Sequence, residues 1–552
     1  MTSRPWLASY GSIPADIDSH AHDSVLAILE AAMTRYADKT AFVSAGQRLS
    51  YAEIDALSRD FCAYLQNAGV KKGDRVAVML PNIAAFPIAM LGIVRAGAVQ
   101  VNVNPLYTPR ELEHQLRDSG SECIVIYGDA LPTLAAVVAH TAIRQVLVAG
   151  RPAAGDALGA DPSTDDFANA VSLRHALTRG SALQRQPVSL AQDDLLFLQY
   201  TGGTTGLSKG AALSHGNLVA NTEQFKAFVA DALRPGEETL ITAIPLYHIF
   251  ALMVNFIAYF SIGAENWLVA NPRDMDGFMA ILKAARPTVF IGVNTLYAGM
   301  LQHPQLAEVD WSRLRMSGGG GAAVVRSVSE RWQAVTGSFI REGYGLSETS
   351  PVISFNPDFV AAFNGTTGLP LPSTDIKLLD DQDREVQPGQ AGEVCVKGPQ
   401  VMRGYWDKPE VNAVAFTVDG YFRTGDIGLF DEQGFLKIVD RKKDMIIVSG
   451  FNVYPNEIED VASACAGVAE CACVGMADEK TGEAVALFVV RTSQGTLTEQ
   501  DLIAHCRTHL AAYKVPKRVH LVDTLPKSTV GKILRRELRK AEDPAAARCP
   551  LP

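Results

Sequence analysis

No apolar run in this 552-residue chain reaches the roughly 18 clean residues that a membrane-spanning helix needs. The most apolar stretch, Ile249 to Ala264, is interrupted by Asn255 and Ser261, so a buried helix is expected there. The opening residues, MTSRPWLASYGSIPADID, lack an apolar segment behind a basic one, and no secretory leader is expected. A basic surplus is missing too. Fifty Lys and Arg face 60 Asp and Glu for a formal net charge of −10, which argues against a nucleic-acid binder that works through a broad basic face. Any polyanionic ligand must be met by local positive charge. Clustered cysteine is absent: of eight, only Cys471 and Cys473 lie close together. They sit in a strand-like run where period-two spacing puts both on one face, and without two more ligands nearby they read as packing residues. Reduced thiols fit a cytoplasmic protein. Long polar tracts are missing as well. With 47% hydrophobic and 20% charged residues, the composition is that of a globular protein, and the length calls for two or more domains.

What the chain does have is a dense loop, YTGGTTGLSKG, from Tyr200 to Gly210, directly after the strand-like run Leu195 to Leu198. Gly202, Gly203 and Gly206 let backbone N–H groups approach an anion. Thr201, Thr204, Thr205 and Ser208 add hydroxyl donors, and Lys209 adds a mobile positive charge. The loop suits an oligophosphate. It is not the G-x-x-x-x-G-K-[ST] loop of P-loop NTPases, because Leu207 and Ser208 separate Gly206 from Lys209 and Gly210 follows the lysine.

Elsewhere, helix and strand patterns alternate from Leu49 to Tyr127, which indicates an α/β protein with doubly wound sheets. Residues 150 to 192, rich in Ala, Gly, Asp and Ser, read as a variable connection. PLYHIF places His248 in a loop before the buried apolar segment. SGGGGAA, Ser317 to Ala323 and including Gly320, is suited to letting a flat ligand or an acyl chain lie against backbone. In EGYGLSETSP, Tyr344 offers an aromatic face beside Gly345, and Ser347 and Thr349 offer hydroxyls. Glu348 would repel a bound triphosphate unless Mg²⁺ lay between them, so it reads as a metal-facing ligand. YFRTGDIG places Asp426 in a loop, where one carboxylate can accept hydrogen bonds from two vicinal hydroxyls. DRKKDMIIVSGFNVYPNEIE opens with Arg441, Lys442 and Lys443 and closes on a helix from Pro455. A compact α+β module of about 110 residues follows. It ends in LPKSTVGKILRREL, with Lys532 in a turn before a basic helix.

Taken in order, YTGGTTGLSKG, PLYHIF, GYGLSET, YFRTGD, DRKKDMIIVSGFNVYPNEIE and PKSTVGK resemble the motif series of the acyl-adenylate-forming superfamily, which comprises acyl-CoA synthetases, peptide-synthetase adenylation domains and luciferases. The wording of the fifth motif, with NPRD at 271–274 and IGVNTLYAGM at 291–300, is most similar to bacterial long-chain fatty acid:CoA ligases. The resemblance implies a large multi-subdomain N-terminal domain, residues 1–440, and a small mobile lid, 441–552, turning near Lys443. It implies ATP, Mg²⁺, a fatty acid and coenzyme A as ligands. By motif, Thr201, Gly202, Gly203, Thr204, Thr205, Gly206 and Lys209 would hold the β- and γ-phosphates, and Glu348 the Mg²⁺. Tyr344 would stack on adenine among Gly320, Gly345 and Ser347, and Asp426 with Arg441 would fix the ribose. Lys532 would bridge the fatty carboxylate and the α-phosphate. Ser449, Gly450, Phe451 and Asn452 would line a CoA channel, and His248 would border the acyl pocket. A homodimer and a peripheral position at the inner face of a membrane fit the same resemblance.

Other readings stay open at this level. Medium-chain or aryl acids could replace the long-chain acid. A fatty acyl-AMP ligase loading a carrier protein would share these motifs, although the short Phe430 to Asp440 connection leaves no room for the insertion such enzymes usually carry. A luciferase-type oxygenase would use the same adenylation site. A non-catalytic binding protein is disfavoured by the intact Lys209, Glu348, Asp426 and Lys532.

Overall fold

In the computed structural model, the described residues are 4–163, 167, 169–201, 208–387, 389–478, 480–492, 496–528 and 531–542. Local sequence sets many element boundaries. Ser50 and Glu53 close a reciprocal capping box at the start of helix Tyr51–Asn67, and Thr108 and Glu111 do the same for Pro109–Ser119, which stops at the left-handed Gly120. Strands such as RVAVM and CIVIY are continuous apolar runs because helices cover both faces of the sheet they enter.

Two large sheets form the N-terminal part. The first has seven strands in the order Ala170–Ser172, Gln145–Ala149, Cys123–Tyr127, Arg75–Met79, Val99–Asn102, Leu195–Thr201 and Lys209–Ser214. All its pairings are parallel except the last, where Thr201 stands opposite Lys209. The second has nine strands, with a parallel centre that includes Thr239–Thr242, Val289–Gly292, Met316–Gly319 and Ile340–Gly345. The doubly wound α/β class is therefore observed. A four-stranded antiparallel sheet, Asp375–Leu379, Gly392–Lys397, Phe422–Phe430 and Leu436–Arg441, comes next in the chain. After it a small module builds its own five-stranded sheet between Ile446–Val448 and Arg518–Leu521. Cys471 and Cys473 both pack into that module's core. No described helix is long and apolar enough to cross a membrane.

Three local expectations change, and the N-terminal segment is placed. The connection at residues 150–192 contains the edge strand Ala170–Ser172 and the helix Leu173–Gly180, which packs on helix Tyr51–Asn67. Its low apolar content hid it, since only Leu173, Ala176, Leu177 and Gly180 face inward. The apolar segment after His248 is buried as expected, but Ala251–Ala258 winds as a π-helix before a short α-turn, Tyr259–Ser261. The N-terminal residues are tied down: Trp6 stacks on Phe430 with ring centroids 5.2 Å apart, and the Tyr10 hydroxyl donates to the Pro370 carbonyl at 2.6 Å. Asp426 lies inside strand Phe422–Phe430 and not in a loop. Thr-Gly-Asp has turn composition, yet the neighbouring strand supplies ladder partners and pairs Asp426 with Arg441.

Gly180 shows how tightly the unread helix is seated, because a Cβ there would overlap the carbonyl oxygen of Asp60. Gly180→Ala is expected to destabilise the N-terminal part by about 1–3 kcal/mol through overpacking, read as a lower urea midpoint with an unchanged slope.

Candidate active site

The parallel strands deliver their carboxyl ends to one region, where open α/β sheets bind ligands. Gly318 to Gly321 run off the end of strand Met316–Gly319, and Gly343 to Gly345 end strand Ile340–Gly345. Together with His248, Phe250, Tyr344 and Lys532 they line a cavity whose apolar wall includes Phe225, Ile249, Val254, Ile291, Val352 and Phe355. Bare backbone is structurally required at Gly345, where a Cβ would overlap the Pro351 carbonyl oxygen. A larger depression of 490 Å³ lies elsewhere, around Ser9, Phe359 and Gln433, and none of the residues singled out by sequence lines it.

Lys532 reaches this cavity from the small C-terminal module. Its backbone N–H donates to Ser528 Oγ at 3.1 Å, its carbonyl accepts from the Ser528 N–H at 2.7 Å, and Thr295 Oγ1 donates to the Gly531 carbonyl at 3.2 Å. The two Ser528 bonds close the turn, the Thr295 bond docks it against the N-terminal part, and the lysine stem lies beside Gly321. Burial and the neighbouring Arg441 charge pull the Lys532 ammonium down to about 8, against the opposing pull of Asp426 and Glu348.

Two buried carboxylates stand close to that lysine. Asp426 Oδ2 accepts from the Tyr344 hydroxyl at 2.6 Å, and Oδ1 lies 3.7 Å from Arg441 Nε. Burial raises its pKa, with Arg441, Tyr344 and Lys532 acting against the rise. Glu348, in the short 3₁₀ turn Ser347–Thr349, accepts from the Tyr405 hydroxyl at 2.8 Å. Burial raises its pKa too, and the Tyr405 hydroxyl opposes this. His248 is held by the Phe250 N–H, which donates to Nδ1 at 3.3 Å. Burial, and then the Lys532 charge, lower its pKa to about 3. The ring is therefore neutral at physiological pH, and with Nδ1 accepting, its proton sits on Nε2.

The family is decided by two matches: the AMP-binding enzyme model covers residues 29–406, and the model of its C-terminal domain covers 457–532. This chain belongs to the AMP-binding enzyme family. Long-chain-fatty-acid–CoA ligase of Salmonella typhimurium is 48% identical over 551 residues, covering 97% of each chain. The ligase of the same name from Yersinia pestis is 47% identical over 554 residues, covering 97% of this chain and 98% of the relative. Among solved structures, ATP-bound MatB from Rhodopseudomonas palustris shares 31% identity at a TM-score of 0.82, covering 94% of this chain and 99% of that one.

In this AMP-binding enzyme the structure gathers Lys532, His248, Gly320, Tyr344, Gly345 and Ser347 around one cavity, with Asp426, Arg441 and Glu348 at its edge. Thr201 and Lys209 face each other across the hairpin that leads into and out of the glycine-rich stretch. Gly202, Gly203, Thr204, Thr205 and Gly206 lie outside the described residues. Ser449, Gly450, Phe451 and Asn452 do not line the cavity; they form an exposed hairpin tip, with Ser449 and Gly450 both at positive φ. Lys443 is exposed between strands Leu436–Arg441 and Ile446–Val448.

Residues not anticipated from sequence are Thr295, which anchors the lysine turn, Phe250, which closes over Gly320, and Tyr405. Phe250 and Thr295 lie in the quoted motifs PLYHIF and IGVNTLYAGM, which marked the segments but not these side chains, and Tyr405 lies in none of them. No described group of three or more His, Cys, Asp or Glu could hold a metal ion by itself. Glu348 alone fits a divalent cation that arrives on a nucleotide, since Mg²⁺ commonly takes one or two carboxylates beside substrate phosphates and water.

Lys532 should react with an amine-directed reagent with a midpoint near pH 8, well below an ordinary lysine. Peptide mapping of labelled protein across pH 6–11 checks this, and a midpoint above 10 would contradict the buried, Arg441-flanked placement.

Proposed function

We propose that this AMP-binding enzyme joins a long-chain fatty acid to coenzyme A at the expense of ATP, through an acyl-AMP intermediate. The observation that supports it best is Lys532, carried by the C-terminal module into a glycine-lined apolar cavity beside Asp426, Glu348 and His248. A carboxylate must approach a polyanion for the first step, and a cation between the two removes their repulsion. The fatty carboxylate oxygen forms a bond to the α-phosphorus, the bond from that phosphorus to the β-bridging oxygen breaks, and pyrophosphate leaves. Lys532 bridges the carboxylate and the α-phosphate, and the neutral His248 donates from Nε2 to orient the carboxylate. Tyr344 lies on the adenine, and Asp426 with Arg441 accepts and positions the ribose. Thr201, Lys209 and the glycine-rich stretch between them hold the terminal phosphates. Glu348 would hold Mg²⁺, which when bound neutralises charge on the phosphates.

In the second step the CoA sulfur attacks the acyl carbon, the mixed-anhydride C–O bond breaks and AMP leaves. Lys532 fills the space beside Gly321, so the thiol needs it withdrawn. A boundary near 440 with the pivot at Lys443 does this by turning residues 441–552 and bringing Ser449 to Asn452 to the cavity. Neither step needs a covalent enzyme intermediate; positioning and charge placement carry the rate.

With ATP, Mg²⁺ and saturated acids of about eight to eighteen carbons, acyl-CoA and AMP should appear together and fastest with the longer acids. Acyl-AMP accumulating regardless of CoA would replace this reading with a carrier-loading ligase. Lys532→Ala should slow adenylation by about 10²–10³, the cost of one preorganised transition-state donor, and spare thioesterification of supplied acyl-AMP. Lys443→Pro, which stiffens the pivot, should do the reverse. Equal loss of both half-reactions in either variant would overturn the moving-lid assignment.

A further inference from the structure

Tyr405 lies 57 residues beyond Glu348, in a segment that closes over the strand leaving the glycine-rich stretch. The segment is fastened at several points. The Met402 N–H donates to the Glu348 carbonyl at 2.8 Å, the Ala212 N–H to the Gly404 carbonyl at 3.0 Å, and the Trp406 N–H to the Gly210 carbonyl at 2.8 Å. Asn412 clamps Tyr405 itself: Oδ1 accepts from the Tyr405 N–H at 2.7 Å and Nδ2 donates to its carbonyl at 2.9 Å. Further along, Lys408 pairs with Asp118, which also accepts from the Tyr200 hydroxyl at 2.7 Å.

Held this way, the tyrosine makes two unlike contacts with its side chain. Its hydroxyl donates to Glu348 Oε1 at 2.8 Å, and the Lys209 ammonium lies 5.5 Å from its ring centroid. Both partners are half-buried or buried groups with long rotatable stems, and an aromatic ring between them is the stiffest connector the side-chain repertoire offers. We infer that Tyr405 is a positioning residue for the metal-bound triphosphate, its hydroxyl fixing the Glu348 carboxylate and its ring fixing the Lys209 ammonium. One side chain thereby sets the spacing between the group that meets the cation and the group that meets the terminal phosphates. The inference rests on the nucleotide-site reading above.

Because the two contacts are chemically distinct, two variants separate them. Tyr405→Phe removes the donor to Glu348 and keeps the ring under Lys209; Tyr405→Leu removes both. The experiment is calorimetric titration of the full chain with an ATP analogue non-cleavable between the α- and β-phosphates, once with excess Mg²⁺ and once with chelator. Tyr405→Phe should weaken the Mg²⁺-loaded analogue about tenfold, as expected for losing a hydrogen bond to a charged group, and leave the metal-free affinity unchanged. Tyr405→Leu should weaken both forms. A merely structural tyrosine would shift both affinities together in the phenylalanine variant. That result, or no shift in either, overturns the inference. Lys209→Ala runs in parallel: if it leaves the wild-type affinities untouched, the phosphate reading of the site fails, which is separable from failure at Tyr405.

Discussion

A positive charge placed among buried groups organises the site of this molecule. Lys532 is held in a half-buried position beside two carboxylates and an arginine, and the desolvation there pulls its ammonium down to about 8. Such a group is costly to keep in an empty cavity and favourable once anions are present. Under the proposed two-step reaction, placing it on a separate module resolves the conflict, because the charge would arrive with the docked turn and leave with it. At the lysine itself the turn docks through the Thr295 hydroxyl on the Gly531 carbonyl and the packing of the lysine stem on Gly321.

The C-terminal module keeps that turn in register through a second set of charges. Arg535, three residues past Lys532, bonds Glu459 through Nε and Nη2, Asn456 Oδ1 at 2.6 Å and Asp440 Oδ1 at 3.2 Å. Arg539 adds Asp444 at 2.9 Å. The basic run from Arg535 to Lys540, which composition alone would assign to a solvated helix face, therefore spends two of its charges internally. Asp440 ends the four-stranded sheet's last segment, while Asn456 and Glu459 belong to the small module's first helix. The network thus ties the helix that follows the lysine turn to both sides of the exposed 441–443 stretch.

Much of this was readable from the chain. The hydroxyl- and glycine-rich stretch ends on Thr201 and Lys209 because a strand leads in and another leads out, and the alternation read from Leu49 to Tyr127 appears as helices Tyr51–Asn67, Ala85–Arg95 and Pro109–Ser119 among strands Arg75–Met79, Val99–Asn102 and Cys123–Tyr127. Those features are local: period, caps and composition act within a few residues of each other. What was missed depends on distant pairing. Asp426 looked like a loop residue because its own neighbours are Thr and Gly, and only the register with Arg441 makes it part of a ladder. Helix Leu173–Gly180 was missed because its inward stripe is short, only Leu173, Ala176, Leu177 and Gly180, within a stretch rich in Ala, Gly, Asp and Ser. Tyr405 carries no local signal at all; its meaning comes from Glu348 and Lys209, both far ahead of it in sequence.

The division of labour in the cavity follows from the same physics. His248 is fully neutral at working pH, since burial and the Lys532 charge both disfavour a second cation. Lys532 supplies the movable charge, and Arg441, which takes part in lowering it, is held against Asp426. Glu348 and Asp426 are each buried with a tyrosine hydroxyl as partner, and Asp426 carries Arg441 on its other oxygen. An arrangement of this kind has little to do covalently. In the proposed reaction it would hold two mutually repelling anions at bonding distance by placing a removable cation between them, which accounts for Lys532 standing in the C-terminal domain and the rest of the cavity in the N-terminal one.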